Sequence, residues 1–186
     1  MKLQSLVMVA VASVLVTAPV SAQGAAAGTP TAVAQRVLGA LASRDAAAFS
    51  RDMHPEVLAA FRSAVLRALE NARTDEDKAQ AATFFQGVTS FDQIAQLPPD
   101  RFFTAYMGGV FRRMREAGDL RMAYAVLGTV PEGADLVHVV YRGRMTSGGQ
   151  SISDVGILTV RRSPGGWKAI LSGELRSLAG PGYVAP

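Results

Sequence analysis

The apolar positions of the chain change period once, and the change divides it into a helical half and a strand half. Up to residue 117 they recur every three to four residues; beyond Gly118 they alternate. Thr29-Pro30 predicts a hydroxyl N-cap with proline at the first helical position, and Val33, Val37, Leu38 and Leu41 carry an apolar stripe to Ser43. A turn at Arg44-Asp45 leads to a second helical piece ending near Met53. Pro55 opens a third helix with Val57, Leu58, Phe61, Val65, Leu66 and Leu69 on one side. Thr74 followed by three acids predicts a fourth helix, because a hydroxyl cap and negative charge both favour a helix N-terminus. Ser90 with Gln93 reads as a capping box for a short fifth helix through Leu97. Pro98-Pro99-Asp100 then begins a sixth, over 101–117, carrying Phe102, Phe103, Tyr106, Val110, Phe111 and Met114, with Gly118 just past its end. The Gly108-Gly109 pair inside it costs about 1 kcal/mol per glycine against alanine, and marks a kink or a close helix-to-sheet approach.

Four strand-like runs follow, at 120–130, 136–145, 151–162 and 167–176. They are separated by Pro131-Glu132-Gly133, Ser147-Gly148-Gly149 and Pro164-Gly165-Gly166. Such short loops join antiparallel neighbours, so the runs predict a four-stranded meander. Helices segregated ahead of it give an α+β fold. Folding the strands about those loops puts Met122, Tyr124, Val126, Val137, Val139, Tyr141, Val155, Ile157 and Ile170 on one face. The other face takes Ala123, Ala125, Leu127, His138, Val140, Arg142, Asp154, Leu158, Val160, Trp167, Ala169 and Leu171. Both faces are substantially apolar, whereas a half-solvated sheet alternates more cleanly. The helices cover one face, and a second copy of the chain is the economical cover for the other, so a homodimer packed through a sheet face is expected.

The N-terminus changes the picture of where this domain works. Residues 1–22 have Lys2 in a short positive region, an apolar run from Leu6 to Val16, and Val20-Ser21-Ala22 with small residues where a signal peptidase needs them. They read as a secretory signal peptide cleaved after Ala22, since the run is too short to span a bilayer. Residues 23–28 form an Ala/Gly tether expected to be disordered, 29–178 a single domain, and 179–186 a flexible tail. The sequence contains no cysteine, and export without disulfides points to a bacterial periplasm. Removing Lys2 lowers the formal charge from +4 to +3, with 18 basic against 15 acidic residues. The basic residues are scattered, so no nucleic-acid partner is expected.

The phrases VLGALASRDAAAF, MHPEVLAAF and DVGILTVRRSPGGWKAI, in this element order, resemble the nuclear transport factor two-like superfamily, the α+β cone shared with ketosteroid isomerase. The resemblance implies a strongly bent sheet wrapped around helices to leave a cone-shaped pocket. Residues 74–118 offer more helix than compact members have. That longer half also resembles periplasmic phospholipid-carrier proteins, which place helices ahead of a sheet around an apolar cavity. The ketosteroid-isomerase Tyr/Asp set maps onto no position of this chain, so no catalytic residue is carried over.

Few side chains suggest chemistry. Asp52, His54 and Glu56 stand at alternate positions, but Pro55 puts them at a helix start, where they diverge. With two histidines and no cysteine in the chain, the preferred reading is His54 capping or packing there, and no metal or other cofactor is expected. In the provisional register Arg142 faces Asp154, with His138 on the same face. A pocket floor would use Arg142 for a carboxylate or phosphate, Asp154 to orient it and His138 for proton transfer. The plainer reading is a cross-strand ion pair, worth under about 1 kcal/mol. Arg112, Arg113, Arg115 and Arg121 complement the dipole at the end of the sixth helix, with contact to an anionic surface as the rival explanation. Tyr106 and its neighbouring phenylalanines line either a cavity or plain core, and Trp167 seals one end of the core. The ligand-binding candidates are therefore His138, Arg142, Asp154 and Tyr106. A periplasmic protein binding a small hydrophobic or amphipathic ligand is expected. The alternatives are an isomerase- or hydrolase-type enzyme using His138 or Asp154 as base, and an interaction module with a filled core.

Overall fold

A computed structural model describes residues 28–71 and 74–171. The expected signal peptide, most of the expected tether, residues 172–176 of the last expected strand and the expected C-terminal tail lie outside the described residues. Six helices come first: α1 (Pro30–Ser43), α2 (Ala46–Arg51), α3 (Pro55–Glu70), α4 (Asp75–Ala82), α5 (Phe91–Gln96) and α6 (Pro99–Glu116). Four strands follow as an antiparallel meander in the order β1 (Arg121–Glu132), β2 (Leu136–Ser147), β3 (Gln150–Ser163) and β4 (Gly166–Ile170). This is an α+β fold with helices ahead of a curved sheet. None of the described helices is long and apolar enough to cross a membrane.

The helix boundaries follow from caps written in the sequence. The Thr29 hydroxyl accepts from the Ala32 N–H at 3.2 Å, with Pro30 in the first turn. Arg44 ends α1 in the left-handed region at φ 57°, and Asp45 at once caps α2 by accepting from the Ala48 N–H at 2.9 Å. Thr74 and Asp77 form a complete reciprocal capping box on α4. The Ser90 cap is different from the expected box. Its hydroxyl accepts from the Gln93 N–H, but Gln93 Oε1 reaches one residue further back, to the N–H of Thr89 at 3.0 Å.

The core lies between the helices and one face of the sheet. Phe49, Phe61, Phe102, Phe103 and Phe111 are fully enclosed at its centre, with Phe61 edge-on to Phe103 at 5.0 Å between ring centres. Such pairs contribute about 0.5–1.5 kcal/mol beyond the area they bury. The Gly108-Gly109 pair makes its close approach to another segment than the sheet. It lets the connection after α4 lie directly on the α6 backbone, where a Cβ at 109 would collide with the Phe84 carbonyl and one at 108 with the Gln86 side chain. The Gln86 N–H donates to the Ala105 carbonyl of α6 at 2.9 Å, pinning that contact.

The sheet register corrects the expected face assignment. In β1 and β2, Met122, Tyr124, Val126, Val137, Val139 and Tyr141 share one face as expected, and it is the face that meets the helices. In β3 and β4 the faces are exchanged: Leu158, Val160 and Ala169 point inward, while Val155, Ile157 and Ile170 lie on the outer side. The cause is one residue. Ser147 pairs with Gln150, so the β2–β3 turn is Gly148-Gly149 alone, both at positive φ (56° and 79°). That is the geometry of a two-residue hairpin turn whose twist matches its strands. Counting Ser147 as loop slips the whole β3–β4 hairpin by one position, and a one-residue slip reverses every side chain.

Candidate functional site

The corrected register separates the expected ligand-binding residues. Arg142 pairs with Val155 and is exposed on the outer face, while Asp154 pairs with Gly143 and lies on the inner face. They are not opposite each other, and neither the expected ion pair nor the shared floor forms. His138 is also on the outer face, with its ring nitrogens 3.0 Å from Thr159 Oγ1 and 2.6 Å from Glu132 Oε2. Tyr106 stands apart on α6, half-buried among Phe61, Phe84 and Phe85 with ring centres 4.9–5.6 Å away. Burial raises its phenol pKa, partly offset by Arg113. Tyr106 lines a shallow cavity of about 510 Å³ between α3, α4 and α6, open to the surface and containing Arg113 and Asp77.

Asp154 lines a different cavity of about 200 Å³ between α6 and the inner face of the sheet, open to solvent where the exposed Met145, Ile152 and Asp154 line it. α6 supplies Met107, Val110, Phe111 and Met114 to one wall. The sheet supplies Met122 and Tyr124 from β1, Tyr141 and Met145 from β2, and Ile152 and Asp154 from β3. Four of the five methionines among the described residues therefore meet here, and unbranched thioethers make an adaptable apolar wall. Two glycines shape its floor. The Tyr141 ring lies over Gly156, where a Cβ would come 2.5 Å from its hydroxyl, and the Tyr124 ring lies beside Gly143, at 3.3 Å from such a Cβ. The rings meet at 77° with centres 5.7 Å apart. The methionines, the tyrosines and the glycines were not singled out as a site from the sequence. The available signal was their alternation at 122, 124, 141, 143 and 145, of which the expected assignment puts Met122, Tyr124 and Tyr141 together on one face.

The remaining candidates have structural partners. The Asp52 carboxylate, almost fully buried, accepts two hydrogen bonds from the Arg36 guanidinium, both 2.9 Å. Its backbone and that of His54 pair with both sides of Ala169, attaching the start of α3 to the edge of β4. His54 is the N-cap of α3, its Nδ1 accepting from the Glu56 N–H at 3.3 Å, as expected of a capping histidine. An accepting Nδ1 carries no proton, so its 3.9 Å approach to the Glu56 carboxylate is not an ion pair. Burial is the main cause that lowers the His54 pKa; Arg161 lowers it further and Glu56 opposes both. Glu56 itself pairs with Arg161 at 3.1 Å. The three side chains are thus held by different partners and do not converge. Of the arginines near the end of α6, Arg112 donates to the Thr83 carbonyl at 2.7 Å and Arg113 stacks over Phe84 at 4.4 Å. Trp167 is half-buried against the core, with the Arg162 guanidinium 4.6 Å over its ring.

Fold and cavity together define a class: an α+β protein with a small apolar cavity held between its last helix and the inner face of its sheet. No protein-family profile matches the chain in sequence, and neither does any curated protein.

Proposed function

We propose that this protein is exported to the periplasm and binds a small hydrophobic or amphipathic ligand in the cavity between α6 and the sheet. The observation that carries the reading is the cavity itself, with methionine and tyrosine walls and a single carboxylate at its lining. A filled interaction module would have no such space. Of the two bases considered for an enzyme, His138 lies on the outer face, away from this cavity, and only Asp154 lines it. The arrangement of helices before a curved antiparallel sheet is compatible with the nuclear transport factor two-like cone. Export rests on the pattern of residues 1–22. Native mass spectrometry of the chain, secreted with its own leader and extracted gently, tests both points. A mass beginning at Gln23 and carrying an extractable adduct is expected; a clean apo mass that takes up no amphiphile would overturn the binding reading.

A second reading concerns self-association. On the outer face Leu127, Val155 and Ile157 are each about half exposed (49%, 50% and 50%), and Val140 pairs with Ile157 between them. We propose that two copies pack through this face. Light scattering at micromolar concentration should give a dimer mass, and Ile157→Lys should return it to a monomer; a monomeric mass for the unaltered protein refutes the dimer.

A further inference from the structure

We infer that the ligand of the α6–sheet cavity carries a methylated ammonium head group, held by Asp154 and the Tyr124–Tyr141 pair. This rests on the binding reading above and narrows its ligand class. Size comes first. A cavity of about 200 Å³ is smaller than the roughly 300–1,000 Å³ that encloses a drug-sized ligand. It takes a head group with a short apolar segment, not a whole lipid. Charge comes second. The chain is net positive, yet Asp154 is the one charged group among the described residues that line this cavity. Its Oδ1 accepts from the Val155 N–H at 2.7 Å, which orients the carboxylate without neutralising it. A cation is the ligand charge that such a wall favours.

The rest of the wall selects the kind of cation. A primary ammonium has three N–H donors that need acceptors, and thioethers and aliphatic carbons are poor ones. A methylated ammonium spreads its charge over methyl groups and is stabilised by aromatic faces and soft apolar contact. Tyr124 and Tyr141 supply two rings inclined at 77°, and Asp154 continues the cross-strand row Tyr124–Gly143–Asp154. The glycine in that row leaves the tyrosine and the carboxylate with no side chain between them. Two angled rings, an acid and thioether walls form a cage for a cation that cannot donate hydrogen bonds.

Isothermal calorimetry on the mature protein, with decyltrimethylammonium and 1-decanol below their aggregation limits, tests this. The ammonium should bind at least tenfold more tightly at low salt. Asp154→Asn should remove most of that preference, and a thermal unfolding midpoint close to the parent's shows that the variant is folded. Tyr124→Leu should reduce the preference several-fold. If decanol binds as tightly as the ammonium, or if Asp154→Asn leaves the preference intact, the cage is overturned and the apolar-pocket reading survives. If neither probe binds, both readings fall.

Discussion

Replacing Gly109 by alanine sets two effects of known sign against each other. In an unobstructed helix the change stabilises by about 1 kcal/mol, because glycine loses more backbone freedom on folding. At 109 the added methyl meets the backbone of Phe84: it would sit 2.8 Å from the carbonyl carbon and closer still to the oxygen. A backbone cannot rotate away as a side-chain tip can, so the connection after α4 must withdraw from α6. That breaks the bond from the Gln86 N–H to Ala105, worth about 1 kcal/mol. It also loosens the stacking of Arg113 on Phe84, about 0.5–1 kcal/mol, and uncovers part of Phe85, whose complete burial is worth about 1.5–3 kcal/mol. Set against the propensity gain, the net loss is about 2–3 kcal/mol. For a domain of this length it corresponds to a fall in Tm of roughly 5–10 °C. Gly39 is the control, since it lies inside α1 and a Cβ there meets nothing within 4 Å. Gly39→Ala should raise Tm by roughly 2–4 °C. Thermal unfolding followed by circular dichroism at 222 nm measures both. A Gly109→Ala protein as stable as the parent refutes the close approach, and a fall in both variants refutes the propensity argument.

His54 is buried neutral, so the unfolded chain binds more protons than the folded one below about pH 6.5. Its contribution is therefore present above that value and lost as pH falls toward its lowered folded pKa. His54→Asn, which keeps a good N-cap without the titration, should flatten that part of the stability–pH curve from urea melts; an unchanged slope refutes the assignment. Arg36→Ala should cost about 1–3 kcal/mol in the same melts, because the Asp52 side chain is only 9% exposed and loses both its hydrogen bonds. The half-exposed Arg36 keeps the loss below that of a wholly buried pair. A loss under about 0.5 kcal/mol would mean that water replaces the guanidinium. Gly149→Ala should destabilise by about 1–2 kcal/mol, since φ there is 79°, whereas Gly148→Asn should be close to neutral in the same assay.

The architecture was legible because its signals are local. The change of period at Gly118, the hydroxyl caps Thr29, Thr74 and Ser90, and the proline starts at 30, 55 and 99 each act within a few residues of where they stand. Local physics also explains His54, whose place before Pro55 makes it a cap whatever the rest of the chain does. What stayed hidden is tertiary. The glycine pair of α6 signals a close approach but not its partner, and the partner proved to be Phe84 and Gln86 from the preceding connection. Nor does anything near Arg36 announce Asp52, sixteen residues away, as its carboxylate.

The site depends on the most sensitive quantity in a meander, the parity of its turns. Ser147 is an ordinary turn residue by type, and only the pair Gly148-Gly149, able to adopt positive φ twice in succession, makes a two-residue turn sufficient. Moving Ser147 from loop to strand carries Asp154 from the outer face to the cavity and leaves Arg142 and His138 outside. One residue of register therefore changes the candidate chemistry. With Arg142 opposite, Asp154 would be neutralised and the surface would suit an anion. Opposite Gly143 and in the row of Tyr124, it becomes an exposed carboxylate at the opening of an apolar cavity, which suits a cation. The same shift exchanges Val155 and Ile157 for Leu158 and Val160, so the inner core and the outer apolar face both persist, with different members. An apolar pattern on two faces tolerates the slip; a single charge does not, and for that reason the fold could be read before the site.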